Sequence, residues 1–396
     1  MPRVLRIINR FNLGGPTYNA AYLSKYLNGD FKTLLVGGAN DETEENSEYI
    51  VRSLGLRPLI IPEMKRSISP RNDMIAYAKI KEIIRRFKPD IVHTHASKAG
   101  ALGRRAATVM EVPVVVHTFH GHVFDAYFNS VKSAFYRGIE RNLADHTTKI
   151  VALSENQRDD LVKKYKICAR EKIEIVPLGF DLDRFRVDME IKRSAFRKEY
   201  LVDDDEIAVG IIGRVVPIKN HSFFLDAVKY VLENTDKKIR IFIIGDGEDR
   251  PLIEEKTAAL GIPFINTHLA DHIEKVTVTF TSWIKDIDVV MAGLDIIALT
   301  SLNEGTPVSL IEAQAANKPI VSTAVGGIKN VVIPGVTALL SPKGNLNQFS
   351  QNMLALVEKE SMRKKMGNDG WDFVARKFHY TRLVNDMQNL YYSLLG

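Results

Sequence analysis

The sequence predicts an α/β fold made of two Rossmann-like, doubly wound domains. Three observations lead there. At 396 residues the chain is longer than one hydrophobic core usually supports. Short apolar runs alternate with longer amphipathic segments, the pattern of parallel strands joined by covering helices. That alternation also divides into two series on either side of a charged stretch near residue 180. With 45% apolar and 26% charged residues, the chain can bury two sizeable cores.

In order along the first series, the runs Val4–Arg10, Thr33–Gly38, Pro58–Pro62, Ile91–His95, Val114–Thr118, Lys149–Ser154 and Ile173–Pro177 predict strands. They are rich in Val and Ile and mostly lack polar alternation, so they suit strands covered on both faces. In the second series the runs Ile207–Gly213, Ile239–Gly245, Thr277–Thr281, Asp295–Thr300, Pro319–Thr323 and Ala338–Leu340 predict six more. Between the series, Leu178-Gly179-Phe180-Asp181-Leu182-Asp183-Arg184-Phe185 carries a glycine and a capping aspartate and then turns charged. The domains are therefore expected at 1–180 and 181–396. Residues from about Trp371 to Leu395 read as helical.

Composition narrows the setting. No apolar run is long enough to cross a bilayer, and Met1–Ile8 reads as a short strand with internal charges rather than a secretory leader. The single cysteine, Cys168, fits a reducing compartment, so a cytoplasmic location is expected. Residues 1–180 hold 28 Lys/Arg and 19 Asp/Glu, a net +9, while residues 181–396 hold 26 and 29, a net −3. Lys79–Lys88 is the densest basic stretch. It reads most simply as a solvated helix face, with an anionic membrane surface as the rival partner.

The sharpest chemical signal is Asn303-Glu304-Gly305-Thr306-Pro307-Val308-Ser309-Leu310-Ile311-Glu312. It follows the predicted strand Asp295–Thr300. Thr306 is expected to cap a helix with Pro307 in its first turn. Free amides at such a helix start can hold a phosphate. A carboxylate such as Glu304 would repel that phosphate, so its sensible partner is a neutral hydroxyl. Phosphate and hydroxyl together suggest a sugar nucleotide.

The spacing of Glu304 and Glu312 resembles the E-x7-E motif of retaining glycosyltransferases of family 4. Further pieces fall in that family's order: Gly14-Gly15, His120-Gly121, Gly213-Arg214-Val215-Val216-Pro217-Ile218-Lys219, Gly245-Asp246-Gly247 and Gly326-Gly327. Each is weak alone; the ordered set spans nearly the whole chain. The resemblance implies the GT-B fold, two Rossmann-like domains facing across a cleft, with the acceptor received by the N-terminal domain. It also implies that the last helix, about 378–396, packs back on that domain. Val92-His93-Thr94-His95-Ala96-Ser97-Lys98-Ala99-Gly100 looks like bacterial polysaccharide-assembly members, which implies a glycan or lipid-linked acceptor.

From the resemblance come the expected roles. Arg214, Lys219 and the backbone of Gly305, Thr306, Pro307, Val308 and Ser309 would hold and stabilise the departing nucleoside diphosphate, whose base in that family is most often uracil. Glu304 would bind sugar hydroxyls and Glu312 the ribose. Gly14 and Gly15 would let backbone approach a phosphate or the transferred sugar. His120 would lie beside that sugar as a positioning group, with His122 as its rival. Asn220 stands where many relatives have glycine. With two cations and a helix start taking up the diphosphate charge, neither a metal nor another cofactor is expected.

Rival chemistries remain in view. Asp203-Asp204-Asp205 offers a D-x-D spacing for a divalent cation, yet it precedes a strand, where a solvated turn is the simpler reading. His93, His95, His117, His120 and His122 are expected to lie near one another, without the cysteine or carboxylate companions usual for zinc. No G-x-S-x-G elbow, Walker loop or three-glycine dinucleotide fingerprint occurs, and no nucleic-acid motif. A sugar-nucleotide epimerase of similar architecture is the alternative reading, and a non-catalytic sugar-nucleotide binder a second.

Overall fold

In a computed structural model, described at every residue except 12, 13, 28, 40–47, 66, 121–129 and 271, the chain divides into two compact units. They are Met1–Phe180 with Lys377–Gly396, and Asp181–Arg376.

The first unit holds β1 (Arg3–Arg10), β2 (Lys32–Gly38), β3 (Leu59–Ile61), β4 (Ile91–His95), β5 (Val114–Thr118), β6 (Lys149–Ala152) and β7 (Ile173–Ile175). They form a parallel sheet ordered β3-β2-β1-β4-β5-β6-β7. Every residue of β4 and β5 is buried, the polar His93, Thr94, His95, His117 and Thr118 included, as suits central strands covered on both faces. Strand order reverses at β1, which pairs with both β2 and β4. In open parallel sheets ligands gather at the carboxyl ends beside such a reversal.

The second unit repeats the plan with β8 (Ile207–Ile212), β9 (Ile239–Ile244), β10 (Phe264–Asn266), β11 (Val278–Ser282), β12 (Ile296–Leu299), β13 (Ile320–Thr323) and β14 (Ala338–Ser341). Their order is β10-β11-β9-β8-β12-β13-β14, so β8 marks the reversal, between β9 and β12. β10 was not expected. Its three residues lie between Pro263 and a polar turn, and they become a strand only by pairing with β11.

The helix Tyr380–Leu395 belongs to the first unit. Leu383, Val384, Met387, Leu390 and Tyr391 bury against Val4, Ile91, Val114 and Val151 of the sheet and Leu23, Leu27 and Phe31 beside it. At roughly 1.5–3 kcal/mol per large apolar side chain, this face contributes on the order of 10 kcal/mol. Backbone bonds fasten its start: Phe180 N donates to Phe378 O at 2.8 Å, and Tyr380 N to Phe180 O at 2.9 Å.

Candidate functional site

At the carboxyl edge of the second sheet, the loop after β8 carries Arg214, which is exposed, and Lys219, which ends a one-turn 3-10 helix, Pro217–Lys219. Asn220 follows with φ 54° and ψ 49°, the left-handed region that glycine favours and asparagine tolerates better than most residues. Asn220 thus adopts a conformation that the glycine expected from the resemblance would also take. Thr300, just past β12, donates its hydroxyl to Lys219 O at 3.0 Å and so ties the two strand ends together.

This places Lys219 beside Glu304. Its Nζ lies 2.5 Å from Glu304 Oε1, and Ser301 Oγ donates to the same oxygen at 2.6 Å. The sequence motifs had put the lysine on phosphate and the glutamate on sugar; here they form one half-buried pair. An ammonium has three donors, so Lys219 can hold Glu304 and still reach an anion. Glu304 is fixed from behind by Gly327 N, which donates to Glu304 O at 2.8 Å. Gly326 has φ +50°, and a Cβ on it would come within 2.1 Å of that same carbonyl. Only glycine permits so close an approach.

The helix after the motif runs Val308–Ala315. Thr306 does not cap it. Pro307 takes the N-cap position with φ −71° and ψ 104°, and no side chain caps the helix. Its extended ψ keeps Pro307 out of the first turn, where the sequence reading had put it, so Thr306 lies one residue too early to act. Leu310 N bonds back to Pro307 O at 3.2 Å. With no side-chain acceptor at this end, the amides about Val308 and Ser309 are available to an anion. Gly305 has open space where a side chain would be. Glu312, one turn on, is half-buried, and burial pushes its carboxyl up to about 7, with Arg184 opposing the rise and Asp288 adding to it.

In the first unit, Gly14 caps the helix Gly15–Tyr26 with φ 147°, a backbone that needs glycine. Gly15 instead faces Leu178, whose Cδ1 would lie 2.7 Å from an added Cβ. Pro16 removes one donor from this helix start, and Thr17 N is turned back to Gly14 O at 3.1 Å, leaving few amides for a phosphate.

Four histidines share this sheet without converging. His117 pairs in register with Thr94, one residue off His93 and His95, and so projects to the opposite face. There its Nδ1 meets Thr94 Oγ1 at 2.8 Å, near Arg104, which is buried in an ion pair with Glu140 at 2.6 Å. His117 is thus a packing residue, contrary to the expected single group. His93 is occupied at both ring nitrogens, by Tyr391 Oη at 2.6 Å and Thr118 Oγ1 at 2.7 Å. His95 Nδ1 contacts His120 Nε2 at 3.0 Å. Burial holds all four well below the usual histidine range, His120 at about 3, so they are neutral at pH 7. Gly121 and His122 lie outside the described residues.

Among the described residues no group of three or more His, Cys, Asp or Glu side chains is placed to hold a metal ion. Asp203 and Asp205 are exposed and paired with Lys275 and Lys238 at the amino end of β8, away from the carboxyl edge that carries Lys219 and Glu304.

Two family profiles cover most of this architecture. The one described as "Glycosyltransferase Family 4" matches residues 13–184, and "Glycosyl transferases group 1" matches residues 192–372. The chain is a family 4 glycosyltransferase of GT-B fold. A UDP-Gal:alpha-D-GlcNAc-diphosphoundecaprenol alpha-1,3-galactosyltransferase of Escherichia coli is 27% identical to this transferase over 342 residues, 86% of this chain and 84% of that one. The capsular polysaccharide biosynthesis glycosyltransferase CapM of Staphylococcus aureus is 23% identical over 340 residues, 85% of each. Among solved structures, Anabaena Alr3699/HepE in complex with UDP and glucose superposes with a TM-score of 0.80 at 15% identity, covering 99% of this chain and 100% of that one. At that identity the likeness carries the fold alone.

Proposed function

We propose that the transferase moves a hexose from a UDP-linked donor to a lipid-linked or growing glycan acceptor, with retention of anomeric configuration and without a metal or other cofactor. The observation that carries this reading is the Lys219–Glu304 pair set beside uncapped helix amides at the strand-order reversal of the second sheet. Arg214, Lys219 and the backbone of Gly305–Ser309 stabilise the diphosphate as the anomeric bond breaks and an oxocarbenium-like centre develops. Glu304, held by Lys219 and Ser301, takes sugar hydroxyls. Glu312 takes the ribose; with a carboxyl near pH 7 it can both donate and accept there. His120 and the Gly14–Gly15 loop accommodate the transferred sugar. The acceptor attacks from the face the diphosphate leaves, and a donor phosphate oxygen receives its proton, so no enzymic nucleophile is needed.

UDP and the acceptor class are supported by the names of the relatives, one of which gives a UDP-galactose donor and a diphosphoundecaprenol-linked acceptor and the other capsular polysaccharide biosynthesis. The test is turnover of UDP-hexoses with undecaprenyl-diphosphate-linked acceptors in excess chelator. An α-linked product from an α-donor is expected. An inverted product, dependence on added metal, or an altered sugar released without acceptor would overturn the reading.

Peripheral contact with the cytoplasmic face of an anionic membrane is part of the same proposal. No helix among the described residues is long and apolar enough to cross a membrane. The first unit does expose Ile68 (72%) and Met74 (71%) at the start of the helix Pro70–Phe87, with Lys65 and Arg71 exposed beside them. Apolar knobs among cations suit an anionic lipid surface. Co-sedimentation with phosphatidylglycerol vesicles should fall on Ile68→Asp/Met74→Asp, and equal binding to phosphatidylcholine vesicles would exclude the electrostatic part.

A further inference from the structure

We propose that Lys318 is a reactive amine in a second cavity and a site of Nε-acylation by an activated acyl group, an acyl phosphate or an acyl thioester. The inference goes beyond the transferase reading and does not depend on it.

The cavity lies wholly within the second unit and measures about 420 Å³. Ile207, Asp295 and Pro319 line it, at or just before the starts of β8, β12 and β13, so it belongs to the sheet edge opposite Lys219 and Glu304. Lys318 lines it too, on a backbone that is held firmly. Asn317 follows the helix Val308–Ala315 in the left-handed region, φ 57°, and Lys318 N donates to Ala313 O at 2.8 Å. The side chain is half-buried. Its Nζ donates to Ala292 O at 3.0 Å, and no carboxylate pairs with it among the described residues.

The carboxylates around it are already engaged. Asp295 takes Arg193 at 2.9 Å on one oxygen, and Arg197 at 3.2 Å and Ala208 N at 2.8 Å on the other. Across the cavity Asp205 is paired with Lys238, Glu206 with Lys275 and Glu360 with Lys364, while Glu358 accepts from Thr235. Asp204, Lys237 and Arg363 complete the charges of the lining. A buried ammonium without a counter-ion favours its neutral form. Burial brings the Lys318 amine down to about 8; Asp295 and Glu190 oppose the fall, and Arg193 and Arg197 deepen it. At pH 7 such an amine is about one-tenth free, against less than about one part in a thousand for an ordinary lysine. Desolvated lysines of this kind are nucleophiles.

In the step, the Nζ lone pair attacks the acyl carbon and an N–C bond forms. The C–O bond to phosphate, or the C–S bond of the thioester, breaks. The departing phosphate or thiolate takes the electron pair and then the proton that nitrogen loses. The product is a neutral amide that keeps one N–H for Ala292 O, and the cavity has room for the acyl group.

The experiment treats the native protein at pH 7 with acetyl phosphate and, in parallel, with acetyl-CoA, each to low occupancy, and follows every acetyl-lysine by peptide mass spectrometry. With at least one donor, Lys318 should be labelled at least about 10-fold faster than the exposed Lys198 and Lys343, and the donor that achieves this names the source. The rate at Lys318 should rise with pH about a midpoint near 8. In denaturing urea the advantage should vanish, because burial is its cause. No preference for Lys318 with either donor in the native protein, or a preference that persists in urea, overturns the proposal.

Discussion

The two sheets share an order and a direction, yet their carboxyl edges differ in charge. In the first unit that edge is lined by imidazoles that burial keeps neutral, with His95 and His120 in contact with each other. In the second unit the same edge carries an ion pair, an exposed arginine and a helix start without a side-chain cap. Topology makes both edges candidate sites; the loops after the strands decide what each could bind. A neutral edge suits hydroxyls, and a cationic edge suits a diphosphate. The same partition shows how a unit that is acidic overall can still present a cationic edge: the cations that would meet the proposed diphosphate are local.

The comparison can be broken most forcefully at Glu304. Glu304→Ala should lower turnover by on the order of 10²–10³, since a group that acts only as the sugar reacts is lost. It should bind nucleoside diphosphate at least as tightly, because Lys219 is released and a like charge removed. A calorimetric titration with UDP showing clear weakening would contradict the pairing argument. Next in size, Lys219→Ala should weaken UDP about 10-fold, the scale of one charge-assisted hydrogen bond.

Acidity should then pull the units in opposite directions. For the first unit, the folded histidine pKa values lie below the unfolded value near 6.5, so stability is complete above that pH and falls as pH drops below it, for His120 down to about 3. For Glu312 the folded value is raised to about 7 from 4.5, so its protonated form favours the native state at low pH and stability falls as pH climbs through that window. His221, buried and held at about 4, offsets part of this in the second unit. Both tryptophans, Trp283 and Trp371, lie in the second unit. Urea melts followed by tryptophan fluorescence at pH 5 and 7.5 thus report that unit, and Glu312→Gln should flatten its dependence. The smallest effect is expected from Tyr391→Phe. It strips a partner from His93 and from Arg6 and should cost about 1–3 kcal/mol, seen in the melt by circular dichroism and not in fluorescence.

Strands such as β5 and β8 were legible because a short apolar stretch rich in Val and Ile has few other folds open to it. β10 was not, because three residues carry no period and its identity comes from its neighbour. The site was legible to the extent that its residues are local: Glu304 and the helix start belong to one motif. The Lys219–Glu304 pair joins residues 85 positions apart, a contact no spacing announces. Nor could the histidines be sorted by face, since His117 parts from His93 and His95 only through the register of β4 against β5. The expected cap at Thr306 failed for a smaller reason, one backbone torsion at Pro307 that places the helix start a residue later.

The first unit is completed by Lys377–Gly396, which a ribosome makes only after all of Asp181–Arg376. At about 5–20 residues per second, the sheet face that Tyr380–Leu395 covers stays open for roughly 10–40 s of synthesis. During that interval Val4, Ile91, Val114 and Phe31 lack their final cover, which makes the nascent chain, more than the finished enzyme, the form in need of a chaperone.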